Sequence, residues 1–214
     1  MPRRRMRWGV ADPRVHVLDP ACGTGAYLVS VLERIAETLQ EKGGDALLAQ
    51  DLKEAALGRV YGFEILPAPF VVAHLQLGLL LRRWGLSLAQ DERAAVYLTN
   101  ALTGWEPPEE EKTRVLSRAF QRERAAAERV KQEAPILVIL GNPPYDSFAG
   151  MAVGEERTLS EAYRSTKRGP DPRGQGLNDL YVRFYRMAER RIVEGTGKGI
   201  VCFISNYSWL DGLS

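Results

Sequence analysis

Four consecutive residues, Asn142, Pro143, Pro144 and Tyr145, carry the most specific chemical capacity in this sequence. Two successive prolines fix φ at both positions and remove two backbone donors, so the segment is stiff. Stiffness leaves the Asn142 side-chain oxygen and the Pro143 carbonyl as two acceptors aimed at one amino group. Tyr145 adds an aromatic face on which a planar base can stack, an interaction worth roughly 1–3 kcal/mol. A plain turn after a buried strand could use the same prolines. It would require neither the asparagine before them nor the aromatic after them.

A second set of residues lies nearer the N-terminus. Asp19, Pro20, Ala21, Cys22, Gly23, Thr24 and Gly25 form a turn in which two glycines let the backbone pass close to a ligand. The turn lacks the Gly-x-Gly-x-x-Gly pattern of dinucleotide folds and the lysine of a phosphate-binding Walker loop, so a nucleoside cofactor without phosphate suits it better. Glu64 ends a second apolar run, where a carboxylate can accept both hydroxyl hydrogens of a ribose. Asn100, with Ala101 after it, ends a third, where an amide offers an acceptor and donors to an adenine edge. Any one of these is weak by itself. In chain order the three strand ends compose an adenosine pocket.

The elements that must position these residues are legible in the hydropathy pattern. Residues 15–19, 60–65, 95–99, 135–140 and 199–204 read as strands. The run at 135–140 is apolar without alternation, as expected for a strand buried on both faces of a parallel sheet. Leu28, Val31, Leu32, Ile35 and Leu39 recur at helical spacing with a stop at Gly43 and Gly44. Further helices are expected over 45–57, from Pro67 onward and from Leu177 to a stop at Gly195. The helix after Pro67 is apolar nearly all round, which predicts deep packing. Residues 105–133 read as a polar helical insertion on the surface, and 146–176 as a long mobile loop. Alternating strands and helices predict an α/β fold with a mainly parallel sheet and helices on both faces. Ligands of such sheets bind beyond the carboxyl ends of the strands, where all the residues above fall.

Composition narrows the function classes only a little. The 214 residues are 45% hydrophobic and 26% charged, and suit one large domain behind a basic tail at 1–14. No apolar run spans a bilayer, since residues 70–81 are broken by His74 and Gln76, and no signal-peptide core follows the N-terminal arginines. A cytoplasmic location without membrane attachment is the expectation. The two cysteines, Cys22 and Cys202, make neither a disulfide framework nor a zinc set, and both are expected as buried free thiols. His16 and His74 are read as structural side chains, and no metal site is expected. A net charge of +2 does not by itself argue for nucleic acid.

Taken together, the motif at 19–25 followed by Asn142, Pro143, Pro144 and Tyr145 resembles the amino-methyltransferases that modify adenine N6 in DNA. The order, cofactor motif before catalytic motif, is similar to their gamma arrangement. The resemblance runs from about Val15 to Trp209, and its last part is similar to the methylase portion of single-chain restriction-modification proteins of Type ISP and related Type I and IIG enzymes. It implies a Rossmann-like methyltransferase fold over 15–214, with a sheet incomplete at its C-terminal side and no target-recognition domain. It also implies S-adenosylmethionine as cofactor, with residues 19–25 around its methionine part, Glu64 on the ribose and Ile65 against the adenine. Asn100 stands where many members of that family have Asp. The implied partners are double-stranded DNA and further domains or subunits of a restriction-modification enzyme.

The reaction so implied is direct methyl transfer to the exocyclic amine of a flipped adenine. Asn142 and Pro143 would stabilise charge developing on that nitrogen, and Tyr145 with Phe148 would receive the base. Two other readings stay open. Similar Asn-Pro-Pro-Tyr enzymes methylate glutamine amides of proteins or amines of RNA. Alternatively, the chain is an inactive fragment that binds only cofactor or neighbouring domains, since it starts just before the first strand and stops just after the fifth.

Overall fold

The computed structural model describes residues 8–43, 45–105, 118–145, 155–164, 177 and 179–206. A short 3-10 turn at Gly9–Ala11 precedes strand β1, His16–Asp19, which leads into helix α1, Ala26–Glu41. Then come α2 (Asp45–Gly58), β2 (Val60–Glu64), α3 (Pro67–Arg83), β3 (Val96–Leu98), α4 (Arg118–Glu133) and β4 (Ile136–Gly141). The last elements are α5 (Glu155–Glu161), α6 (Leu180–Glu189) with a π-helical extension at Arg190–Thr196, and β5 (Ile200–Phe203).

The strands form one parallel sheet in the order β3-β2-β1-β4-β5. Register places Leu18 beside Tyr61 on one flank and beside Ile139 on the other. Successive strand residues face opposite sides, so adjacent β1 residues feed two cores. Val17 packs with Leu28, Leu32, Ile35, Leu52 and Leu77 beneath α1, α2 and α3. Leu18 packs with Phe63, Ile136, Ile139, Phe184 and Met187 on the side of α6. Helices therefore cover both faces, as a parallel sheet requires, and the fold is the doubly wound, Rossmann-like α/β class.

Several elements depart from the sequence pattern. Helix α3 is not deeply packed all round: Ala73, Leu77, Leu80 and Leu81 are buried, but Val71, Leu75 and Leu79 are 62%, 61% and 50% exposed. Both of its faces are apolar, so periodicity alone could not say which one the sheet covers. Helix α4 is the crossover between β3 and β4 rather than a surface insertion, with Ala127 and Lys131 buried. Residues 106–117 of that stretch lie outside the described residues. The supposed loop 146–176 contains helix α5; its parts at 146–154, including Phe148, and at 165–176 lie outside the described residues. The helix ending in the π turn stops at Gly197, in the left-handed region with φ 71°, not at Gly195. Cys22 is buried as expected, whereas Cys202 is exposed on β5. Among the described residues no helix is long and apolar enough to cross a membrane.

The two faces of α3 make a clean test. Leu77→Ala should cost about 2–5 kcal/mol in urea denaturation, because it opens a cavity in a closed core. Leu75→Gln should change stability by less than about 0.5 kcal/mol. Equal losses would mean that the outer face of α3 is covered in solution.

Candidate functional site

Asp19, the last residue of β1, is fully buried. Its Oδ1 accepts the Ala21 N–H at 3.1 Å, while Oδ2 accepts no hydrogen bond among the described residues. Burial pushes this carboxyl up to about 7; the Ala21 N–H opposes the shift and the nearby Glu64 adds to it. Gly141 ends β4 directly beside it. A Cβ on Gly141 would stand 2.6 Å from Asp19 Oδ1, so only glycine lets β1 and β4 end this close together.

The turn after Asp19 is shaped by its own backbone and by β2. The Cys22 N–H donates to the Phe63 carbonyl at 3.0 Å, and the Gly25 N–H to the Cys22 carbonyl at 2.8 Å. Gly25 caps α1 with φ 87°, and a Cβ there would lie 3.2 Å from that of Ala73, so it also sets how closely α1 meets α3. Cys22, Gly23, Thr24 and Gly25 thus build the turn rather than line the cavity. Burial, with Asp19 and Glu64 nearby, pushes the Cys22 thiol above its ordinary range, which suits a structural thiol and not a nucleophile.

Glu64 ends β2 with a buried side chain. Its Oε2 accepts the Gly23 N–H at 2.9 Å, and its Oε1 accepts the Ile65 and Leu66 N–H groups, both at 2.8 Å. Three of roughly four lone-pair positions are engaged. A sugar hydroxyl can take the fourth, and a second would displace one backbone donor.

Asn100 follows β3, where its Oδ1 accepts the Leu102 N–H at 2.9 Å and its Nδ2 donates to Glu156 Oε1 at 2.6 Å. This corner is fastened from α4. Lys131 Nζ donates to Thr99 Oγ1 at 2.8 Å and to the Asn100 and Thr103 carbonyls, both at 2.7 Å. Burial pulls the Lys131 ammonium down to about 8, against the opposing pull of Glu128 and Glu155.

Beyond β4, Pro143 is buried, while Asn142, Pro144 and Tyr145 are exposed. The Tyr145 hydroxyl donates to Asn142 Oδ1 and lies 2.8 Å from the Ile204 carbonyl, tying the segment to the end of β5. Tyr145 as a whole is 48% exposed.

These strand ends enclose a cavity of about 510 Å³, within the roughly 300–1,000 Å³ usual for small-molecule sites. Pro20, Ala21, Glu64, Ile65, Asn100, Ala101, Asn142 and Pro144 all line it. The structure therefore brings residues from all four motifs to one crevice. It also adds residues that the sequence did not single out: Glu156 on α5, and Arg183 and Phe184 on α6. Arg183 sits one residue before an apolar face and Glu156 inside a polar stretch. Neither carries a pattern that marks it before the chain is folded.

No protein-family profile and no curated protein matches the chain. Solved structures match it at 22% identity, which shows the fold. The ATP-dependent Type ISP restriction-modification enzyme LlaBIII bound to DNA matches 95% of this chain and 14% of its own, with a TM-score of 0.73. A nuclease-deletion mutant of the Type ISP enzyme LlaGI, in complex with a DNA substrate mimic, matches over 93% and 16%, with a TM-score of 0.72. The DrdV–DNA complex matches over 95% and 18%, with a TM-score of 0.66. The chain thus spans less than a fifth of these proteins, and shares with them a doubly wound sheet whose β1–β4 crevice is its candidate site.

Proposed function

We propose that this chain is the catalytic module of an S-adenosylmethionine-dependent DNA adenine-N6 methyltransferase belonging to a restriction-modification enzyme. One observation carries the reading: Glu64, Asn100 and Asn142 line a single cavity at the ends of three different strands. The fold neighbours are restriction-modification enzymes or DNA complexes, which supports DNA as the substrate class.

The residues present suit the cofactor. Asp19 keeps a buried oxygen that has no hydrogen-bond partner among the described residues at the start of the glycine turn, which fits an ammonium donor. Glu64 fits the ribose, and Ile65, 62% exposed beside the cavity, offers an apolar face to a base. When bound, S-adenosylmethionine supplies an electrophilic methyl group. The chain supplies acceptors and position. Asn142 Oδ1, with a lone pair beyond the one Tyr145 uses, and the Pro143 carbonyl would hold the hydrogens of the target amine and favour its developing positive charge. The Tyr145 ring would stack on the extruded base, with its hydroxyl held by Asn142 and Ile204. Fixing amine and methyl donor in one crevice contributes through orientation.

Incubation with tritiated cofactor and unmethylated DNA should label adenine N6. Asn142→Ala should lower the rate by at least about 100-fold, the scale on which preorganised polar groups act, while changing cofactor affinity less than about threefold. Label entering a protein glutamine or an RNA amine instead would overturn the substrate; absence of label in all three would overturn the activity.

Asp19 gives a second check. Its folded pKa of about 7 lies above the unfolded value of 3.8, so between about pH 4 and 7 the folded chain holds a proton that the unfolded chain releases. Stability should therefore fall as pH rises through that window and level off above it. A cationic ligand beside Asp19 pulls its pKa back down. Calorimetry at pH 6 should thus show proton release on S-adenosylmethionine binding, seen as a dependence on buffer ionisation enthalpy. Asp19→Asn should remove it, whereas equal proton release in that variant would place the effect elsewhere.

A further inference from the structure

The carboxylate that faces the cavity beside Asn100 comes from a different part of the chain. Glu156 lies on α5, beyond the Asn142-to-Tyr145 segment, yet its Oε1 accepts from Asn100 Nδ2 at 2.6 Å and its Oε2 from Arg183 Nη1 at 3.3 Å. Arg183 is itself buried, with its side chain 3% exposed. The contact fixes the sense of the Asn100 amide: its oxygen turns to the Leu102 N–H and its nitrogen to Glu156. Asn100 thus makes one bond at each end of its amide, with its orientation set by both. The negatively charged acceptor at this corner of the cavity is Glu156.

Its neighbour Glu155 has a separate task. It accepts the Gly104 N–H at 2.7 Å and the Trp105 N–H at 3.2 Å, so it docks α5 onto the loop after β3 without lining the cavity. Docking by Glu155 leaves Glu156 pointing inward. A carboxylate accepts and never donates, with roughly four lone-pair positions of which two are used here. It suits a base edge that presents an amino group and repels one that presents a carbonyl.

We propose that Glu156 is a specificity-determining residue of the cofactor pocket, accepting a hydrogen from the exocyclic amine of the bound adenine. The proposal rests on the cofactor reading above. It also places one cofactor contact on the stretch of chain that leaves the target-amine segment, so the two half-sites share a covalent connection.

The test compares S-adenosylhomocysteine with S-inosylhomocysteine, which differ only at one edge of the base, an amine beside a bare N1 against a carbonyl beside an N1–H, by calorimetry on the full chain. The wild-type chain should bind the adenosyl ligand at least about tenfold more tightly, the scale of one charge-assisted hydrogen bond. Glu156→Gln, whose amide can turn to donate, should narrow the preference to within about twofold. Glu156→Ala carries the same expectation, so either variant decides if the other unfolds by circular dichroism. Glu155→Gln should lower Tm and keep the wild-type preference. A preference left intact in the Glu156 variants would overturn the proposal, as would equal binding of both ligands by the wild-type chain; the cofactor reading would survive either result. Failure of the folded wild-type chain to bind either ligand would overturn that reading too.

Discussion

The carboxylate of Asp19 lies against the backbone of Gly141, at the seam where β1 and β4 end side by side. The chain leaves β1 for α1 on one face of the sheet and reaches α6, packed on the other, after β4. Two strands that part to opposite faces open a crevice between their ends, and that crevice is where doubly wound sheets bind ligands. Any side chain at position 141 would press into Asp19 and move the Asn142 segment away from the glycine turn. The contact has a cost, because Asp19 is held in a site that favours its neutral form. That loss of solvation falls where the glycine turn after β1 and the Asn142 segment after β4 meet.

The same economy runs through the polar groups around the crevice. Glu64 spends its lone pairs on three backbone N–H groups that shape the turn after β1 and the start of α3. Asn100 shapes the loop after β3 through Leu102. Both organise the backbone around the cavity that they line. Their side chains are therefore held in place rather than free in the cavity, which lowers the entropy lost when a ligand exchanges for one of those donors. Thermal stability and ligand affinity should be coupled at these positions, and a polar replacement that keeps the backbone hydrogen bonds will be milder than alanine.

Residues acting through local geometry were legible in the sequence. The glycine turn, the strand-end Glu64 and the Pro-Pro segment announce themselves because each needs particular residue types at adjacent positions. The sheet was legible too, since buried parallel strands are uninterrupted apolar runs. What stayed hidden depends on distance along the chain. Lys131 looks like any lysine in a charged helix until Thr99, Asn100 and Thr103 arrive around its ammonium. Glu156 looks like part of a polar loop until α5 docks onto the corner after β3. The exposed stripe Val71, Leu75 and Leu79 was misread for the opposite reason: both faces of α3 are apolar, and no periodicity separates the covered one from the other.

Asp19 and Lys131 are both buried ionisable groups beside the site. Burial shifts both toward neutrality, the acid up to about 7 and the base down to about 8. Lys131 nevertheless makes three donations, to Thr99, Asn100 and Thr103, which only the ammonium form can supply, while Glu64, Glu156 and Arg183 line the crevice itself. Two carboxylates against one guanidinium favour a ligand that brings positive charge. Such a ligand, placed at the β1 end, would restore the ionised state of Asp19 and so strengthen the field that holds it.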